Sequence, residues 1–255
     1  MLSYALLLEY DGTGFVGWQR QDNGVSIQQV LEAAAARLAG GAPVACVAAG
    51  RTDAGVHAQG QVARIELPGA LPPRTVREAL NFHMKPHRVV VLRAAIAAPG
   101  WNPRFAAIGR AYRYRILNRR ARAALDAGRV WHVQRRLDIA AMQGAADLLL
   151  GPHDFTSFRA ASCQAKSPVR TLDRLEVARH GDFVELVVEA RSFLHHQVRN
   201  FAGTLKLVGD GDWPVSRVAE VLAARDRALA GPTAPAAGLC LTRVTYPVDP
   251  FAEAI

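Results

Sequence analysis

The stretch A49-G-R-T-D-A-G-V-H57 separates two short apolar segments that predict β-strands. Two glycines in it bracket Arg51 and Asp53, which stand two residues apart. A loop of this kind can hold a carboxylate beside a guanidinium, which keeps the carboxylate ionised and oriented. Nucleophilic and general-base chemistry both use such a carboxylate. From the loop alone, a turn closed by its own ion pair explains the residues equally well.

The sequence on either side of this loop predicts a mixture of strands and helices. Residues 4–10 alternate as a strand does, and a helix with Ser26 as its N-cap follows the glycine-rich turn D11-G-T-G-F-V-G17. The second half predicts a helix capped by Asp138 and a hairpin that turns at 180–182. This alternation indicates an α+β fold. We divide it into residues 1–105 and 106–255.

The spacing Gly12-x-Gly14-x-x-Gly17 superficially matches a dinucleotide-binding fingerprint. That fingerprint requires the third glycine to open a helix, whereas here the predicted helix begins only near Ser26. We therefore expect no nucleotide cofactor. A loop that presents Trp18 and Arg20 to a ligand is the preferred interpretation.

The basic residues are concentrated in one part of the chain. The chain of 255 residues has 31 Lys and Arg against 22 Asp and Glu, a net charge of +9, and only three of the cations are lysines. Residues 104–136 alone carry a net charge of +9 from a single acid, Asp126, and ten arginines: Arg104, Arg110, Arg113, Arg115, Arg119, Arg120, Arg122, Arg129, Arg135 and Arg136. A basic window on an otherwise neutral chain indicates a polyanionic partner. A compositional bias toward arginine is the alternative.

Aromatic residues lie among these arginines. In the predicted strand 109–118, Tyr112 and Tyr114 share one face while Arg113 and Arg115 share the other. Aromatic rings beside cations hold extruded or single-stranded bases in RNA-binding proteins. Burial of the same rings in a core is the alternative for a strand.

Other classes of protein are disfavoured by the sequence. It contains no apolar stretch long enough for a membrane span and no secretory signal. Three widely spaced cysteines suggest neither a disulfide framework nor a zinc finger, so a reducing cytoplasm is expected. The pair His195-His196 invites a metal site, but adjacent side chains usually point apart, and we predict none.

Five segments together resemble the tRNA pseudouridine synthases of the TruA type. They are Y10-D-G-T-G-F-V-G-W-Q-R-Q21, A49-G-R-T-D-A-G-V-H57, R110-A-Y-R-Y114, D154-F-T-S-F-R159 and F193-L-H-H-Q-V-R-N200. The resemblance implies two related halves, each a mainly antiparallel sheet with helices on one face, that meet at a central cleft. It implies conversion of uridine to pseudouridine at positions 38, 39 and 40 of the tRNA anticodon arm, by a cytoplasmic homodimer with no cofactor and no metal.

The resemblance also implies roles for individual residues. Asp53 is expected to be the catalytic aspartate, as nucleophile or as base, and Arg51 its ion-pair partner. Tyr112 is expected to pack on the target uracil, and Arg199 to reach the active site from the second half and pair with Asp53. We expect Arg20, Arg104 and Arg110 to contact RNA.

One departure from the family pattern is Gln197, which stands where methionine is usual. Two alternatives stay open at this point. A tRNA-binding protein without catalysis would share the basic window and the aromatic residues. A metal-dependent hydrolase would instead use His57, His195 and His196.

Overall fold

A computed structural model describes residues 1–252 of the chain. These residues form ten β-strands and six α-helices. The strands are β1 (Leu2–Tyr10), β2 (Cys46–Ala48), β3 (His57–Leu67), β4 (Val89–Ile96), β5 (Gly109–Leu117), β6 (Trp131–His132), β7 (Gly151–Asp154), β8 (Val169–His180), β9 (Phe183–Ala190) and β10 (Leu239–Thr245). The helices are α1 (Ile27–Leu38), α2 (Pro73–His83), α3 (Pro103–Ala106), α4 (Ile139–Asp147), α5 (Gln197–Gly209) and α6 (Ser216–Ala224). The described chain has no helix with the length and apolar character that crossing a membrane requires.

The chain folds into two compact units. The first contains residues 1–109 and 241–252, and the second contains residues 110–240. Residues 241–252 therefore pack with the first unit, although they follow the second unit in sequence.

The first unit is built on an antiparallel sheet in which β1 lies between β3 and β4. Tyr4, Leu6 and Leu8 project from one face of β1 and are fully buried. The hydroxyl of Tyr4 donates to the carbonyl of Leu71, just before α2, so this face is the one that α2 covers. On the other face, Ala5 packs in a second apolar cluster with Phe251 from the C-terminal segment.

Local signals set the helix starts in both units. The hydroxyl of Ser26 accepts from the N–H of Gln29 at 3.1 Å and caps α1. The carboxylate of Asp138 accepts from the N–H of Ala141 at 3.0 Å and caps α4. Both caps predicted from the sequence are confirmed.

The second unit contains an antiparallel sheet with the order β5, β9, β8, β7, to which β6 adds parallel to β5. The predicted hairpin forms β8 and β9. Every second residue of β9 from Val184 to Ala190 is buried, which gives the sheet one apolar face. Helix α4 packs against β8 and against α5. The two units thus confirm the α+β class, with mainly antiparallel sheets.

Candidate active site

Asp53 lies in the loop between β2 and β3, in the first unit. The residue before it, Thr52, is buried, and its hydroxyl lies 2.8 Å from that of Tyr10. The N–H of Val56 donates to the carbonyl of Asp53 at 3.1 Å and closes a turn. Asp53 itself is half-buried. The backbone on both sides of the carboxylate is therefore fixed, while its side chain keeps access to solvent.

The pairing of Arg51 with Asp53 stays a prediction. Arg51 is exposed, and Thr52 is the residue of the loop that turns inward. Because Thr52 is held by its side chain and by its carbonyl, which accepts from the N–H of Trp18 at 2.9 Å, its neighbour Arg51 is directed outward. The guanidinium of Arg51 is thus presented to solvent.

The glycine-rich segment 11–17 packs against the loop that carries Asp53. A Cβ on Gly12 would lie 2.1 Å from the carbonyl oxygen of Val56, so only glycine permits this approach. The N–H of Gly12 donates to Nδ1 of His57 at 3.0 Å, and Asp11 Oδ1 lies 3.2 Å from the same nitrogen. The glycines of this segment support the candidate catalytic loop, in a role distinct from a phosphate cradle.

Trp18 was expected to face a ligand, and the structure corrects this expectation. Its side chain is 3% exposed and lies 6.1 Å from the ring of Tyr10, centroid to centroid. Arg20 is exposed, but its Nη2 is paired with Glu32 at 3.0 Å. Of the two residues predicted to meet a ligand, only Arg20 stays at the surface.

Tyr112 and Tyr114 share one face of β5, as predicted, but their environments differ. Tyr114 is fully buried, and its hydroxyl donates to the carbonyl of Pro235 at 2.8 Å. Burial raises the pKa of Tyr114 far above its ordinary value, against an opposing effect of the Arg199 charge. Tyr112 is half-buried, and its ring lies 5.2 Å from the ring of Phe193, centroid to centroid, with the two planes at 87°. Tyr112 is thus the ring of the two that has an accessible surface and a fixed support.

Arg199 lies in the first turn of α5, in the second unit. Its Nε donates to the carbonyl of Ala234 at 2.8 Å, and the N–H of Ala234 donates back to the carbonyl of Arg199 at 3.1 Å. These two bonds fix the backbone and the Nε atom of Arg199, while the side chain stays partly exposed. Arg199 is therefore an oriented cation.

The structure neutralises part of the basic window. Arg115 lies 3.2 Å from Glu185 and 3.2 Å from Asp126, so the predicted cationic face of β5 carries ion pairs. Arg119 pairs with Asp182, and Arg135 pairs with Asp212, each at 3.1 Å. Most of these acids lie outside the window in sequence.

Three exposed arginines of the window make no ion pair within residues 1–252: Arg120, Arg122 and Arg136. Of the arginines named individually as RNA contacts, Arg104 is exposed at the start of α3. Arg110 is half-buried, and its Nη1 donates to the carbonyl of Arg191 at 2.6 Å. No local sequence pattern separates the paired from the unpaired arginines, because most of the acidic partners lie far away in sequence.

The histidines also depart from the predicted arrangement. His57 is buried against the segment 11–17. The rings of His195 and His196 lie 4.0 Å apart, centroid to centroid, so they do not point apart as adjacent residues usually do. His196 has a left-handed backbone with φ 63°, and this brings the two rings together.

Sequence reasoning missed several residues that support the candidate site. Phe193 holds Tyr112, while Tyr10 and Gln61 hold the loop 50–57. All but Gln61 lie within segments that carried the family resemblance. Their place in those segments was the one sequence signal that could have identified them, because each contact joins positions that are separated in sequence.

Comparison with known proteins identifies the family to which the chain belongs. The family model for tRNA pseudouridine synthase matches residues 7–105 and 145–247. A protein of Acidiphilium cryptum called tRNA pseudouridine synthase A is 68% identical over 252 residues, 98% of this chain and 99% of its own. Proteins with the same name from Gluconobacter oxydans and Paramagnetospirillum magneticum are 56% and 59% identical, over 97% and 96% of this chain and 91% and 96% of their own. The chain therefore belongs to the tRNA pseudouridine synthase family.

Proposed function

We propose that the protein converts uridine to pseudouridine at positions 38, 39 and 40 of the tRNA anticodon arm, with Asp53 as its catalytic residue. The observation that carries the proposal is the half-buried carboxylate of Asp53, in a loop fixed at Thr52, in a chain of this family. The uridine-to-pseudouridine reaction follows from family membership. The positions in the anticodon arm and the residue roles are the further steps of the proposal.

The reaction needs few groups. The bond between ribose C1′ and uracil N1 breaks, the base rotates, and a bond between C1′ and C5 forms. C5 loses its proton and N1 gains one, so no atom is added and no oxidant is consumed. One ionised carboxylate can attack the substrate, accept the C5 proton or stabilise the sugar intermediate. Asp53 has the rigid backbone that each of these roles requires.

Tyr112 is proposed to receive the target uracil. A base within a stem or a stacked loop must be extruded before its glycosidic bond can react, at a cost of a few kcal/mol. Stacking on an aromatic ring is worth about 1–3 kcal/mol per base, which offsets part of that cost. The exposed part of the Tyr112 ring and its perpendicular contact with Phe193 support this role.

The remaining assignments complete the proposal. Arg199 and the exposed Arg51 bind the substrate. The unpaired arginines Arg120, Arg122 and Arg136 bind phosphates together with Arg104, with smaller contributions from Arg20 and Arg110. The protein acts as a homodimer in the cytoplasm, without cofactor or metal.

The test uses unmodified tRNA transcripts incubated with the wild-type protein, Asp53→Asn and a control, Asp22→Asn, all in excess chelator. Asp22 is an exposed acid of the same unit, outside the loop 50–57. Pseudouridine is mapped at single-nucleotide resolution, and tRNA binding is measured in parallel. We expect modification of positions 38, 39 and 40 by wild type and Asp22→Asn, and none by Asp53→Asn, with binding within a few fold.

Other results would identify which part of the proposal fails. Wild-type turnover in Asp53→Asn would remove Asp53 from the catalytic role. Modification outside the anticodon arm would contradict the assigned positions. Binding of tRNA with no modification by wild type would favour the alternative, an RNA-binding relative without catalysis.

A further inference from the structure

The turn that leads into α5 is closed by the side chain of Gln197. Oε1 of Gln197 accepts from the N–H of Leu194 at 2.8 Å, and the N–H of Gln197 donates to the carbonyl of Leu194 at 3.1 Å. Two bonds thus join the same pair of residues across the turn 194–197. The first residue before this turn is Phe193, whose ring packs perpendicular to that of Tyr112.

The amide of Gln197 carries a cost in the free energy of folding. The side chain is 1% exposed, and its Nε2 has no hydrogen-bond partner within residues 1–252. A buried donor without a partner is unfavourable, and native structures contain few of them. Exchanging the positions of the amide oxygen and nitrogen of Gln197 would not give the donor a partner, because the Leu194 N–H requires an oxygen and not an NH2 group. An apolar side chain would avoid the unpartnered donor, so the bond to Leu194 is the feature that distinguishes glutamine here.

The backbone around this turn is strained and needs such a bond. His196, just before α5, has φ 63° and ψ 3°, a left-handed conformation, and no side chain caps the helix. A non-glycine residue in this region persists only where its surroundings enforce it. The carbonyl of His195 is held by the N–H of Ala160 at 2.9 Å, and Gln197 holds the opposite side of the turn at Leu194.

We propose that Gln197 is a positioning residue that holds Phe193 in its perpendicular contact with the ring of Tyr112, and so places the surface on which the uracil stacks. This inference rests on the proposed function of Tyr112. Leu194 is buried and adjacent to Phe193, so the bond from Gln197 fixes the backbone from which Phe193 extends. Rotation of that backbone would move Phe193 and leave the Tyr112 ring without its support.

The test compares substitutions that differ in the acceptor atom at position 197. Gln197→Leu removes the acceptor with little change of size. We expect kcat for pseudouridine formation to fall about tenfold, less than the roughly hundredfold that a misplacement of about 1 Å can cause. The Kd for tRNA should stay within about twofold. Gln197→Met supplies a thioether sulfur, a weak acceptor, and should restore part of kcat.

A matched control separates positioning from a general loss of stability. Gln143 also uses its side chain to hold backbone, because its Oε1 accepts from the N–H of Val177 at 2.7 Å, on the α4 side of the same unit. Gln143→Leu should lower the melting temperature and leave kcat within about twofold. Gln197→Leu should instead lower kcat and leave the melting temperature nearly unchanged, because it removes a hydrogen bond and an unpartnered donor together.

Two further measurements connect Gln197 to Phe193. Phe193→Leu should lower kcat to the same extent, and Gln197→Leu added to it should cause no further fall. The aromatic NMR signals of Tyr112, assigned through Tyr112→Phe, should shift in Gln197→Leu because the ring current of Phe193 moves. Unchanged Tyr112 signals, or additive losses in the double variant, would overturn the inference. The NMR measurement needs no activity, so its outcome is independent of whether the wild-type protein forms pseudouridine.

Discussion

The hydroxyl groups of Tyr10 and Thr52 lie 2.8 Å apart, in the interior of the first unit. Tyr10 ends β1, and Thr52 precedes Asp53 in the loop between β2 and β3. Gln61 extends this network, since its Nε2 donates to the carbonyl of Gly50 at 2.8 Å. A buried polar network whose members are satisfied fixes one arrangement of the chain. Here it fixes the backbone that carries the proposed catalytic carboxylate.

The first prediction concerns this pair. Thr52→Val should destabilise the protein by about 1–3 kcal/mol, because it removes the buried partner of the Tyr10 hydroxyl. It should also lower kcat, since Asp53 is the next residue. Urea unfolding and pseudouridine formation check the two effects, with the exposed Thr13→Val as control. A double-mutant cycle with Tyr10→Phe that gives no coupling energy would contradict this account.

The second prediction concerns the close approach of Gly12 to Val56. Gly12→Ala places a methyl group within 2.1 Å of a backbone oxygen, so the two loops must separate. We expect a loss of stability of about 1–3 kcal/mol, as for overpacked interiors, together with a loss of turnover. Gly50→Ala is the control, because a Cβ there meets no atom within 4 Å. Equal effects of the two substitutions would argue against the packing role of Gly12.

The third prediction concerns salt. Binding of tRNA should weaken steeply as salt rises, because arginines that contact phosphates release counterions. Replacing the unpaired Arg120, Arg122 and Arg136 by glutamine should reduce the slope of log K against log salt by about 1 per residue. The matched set is Arg119, Arg135 and Arg174, which have acidic partners at 3.1 Å. Equal changes for both sets would show that ion pairing does not select the phosphate contacts.

The fourth prediction concerns pH. The hydroxyl and the N–H of Thr156 donate to Oδ1 of Asp154 at 2.6 Å and 2.9 Å, and the hydroxyl contributes most to lowering the pKa of Asp154. The charges of Arg225 and Arg159 lower it further. A carboxyl with a lowered pKa in the folded state stabilises the protein above its unfolded pKa, about 3.9, and loses this effect as pH falls.

Urea unfolding of wild type and Asp154→Asn at several pH values checks this expectation. The difference in the free energy of unfolding should be constant from about pH 8 to 5 and should shrink below about pH 4. Asp173→Asn, at an exposed acid of β8, is the control and should give no such change. A difference that persists unchanged to pH 3 would contradict the role assigned to the Thr156 bonds.

Local sequence patterns predicted the helix starts and the hairpin well. Ser26 caps α1 through a bond to a residue three positions on, and Asp138 caps α4 in the same way. The hairpin of β8 and β9 turns within a few residues of the predicted position. In each case the interacting groups are near in sequence, so the sequence alone contains the relevant geometry. The loop around Asp53 and the position of Tyr112 on its strand were also evident at this level.

Contacts between distant positions were decided by the tertiary structure. The register of β5 and β9 places Glu185 opposite Arg115, 70 residues away, and converts an apparently cationic strand face into ion pairs. Packing against Tyr10 buries Trp18, and the inward turn of Thr52 leaves Arg51 exposed. The sequence determined which residues were available for chemistry. The folded chain determined which of them stayed exposed, because burial and pairing depend on neighbours that no local pattern specifies.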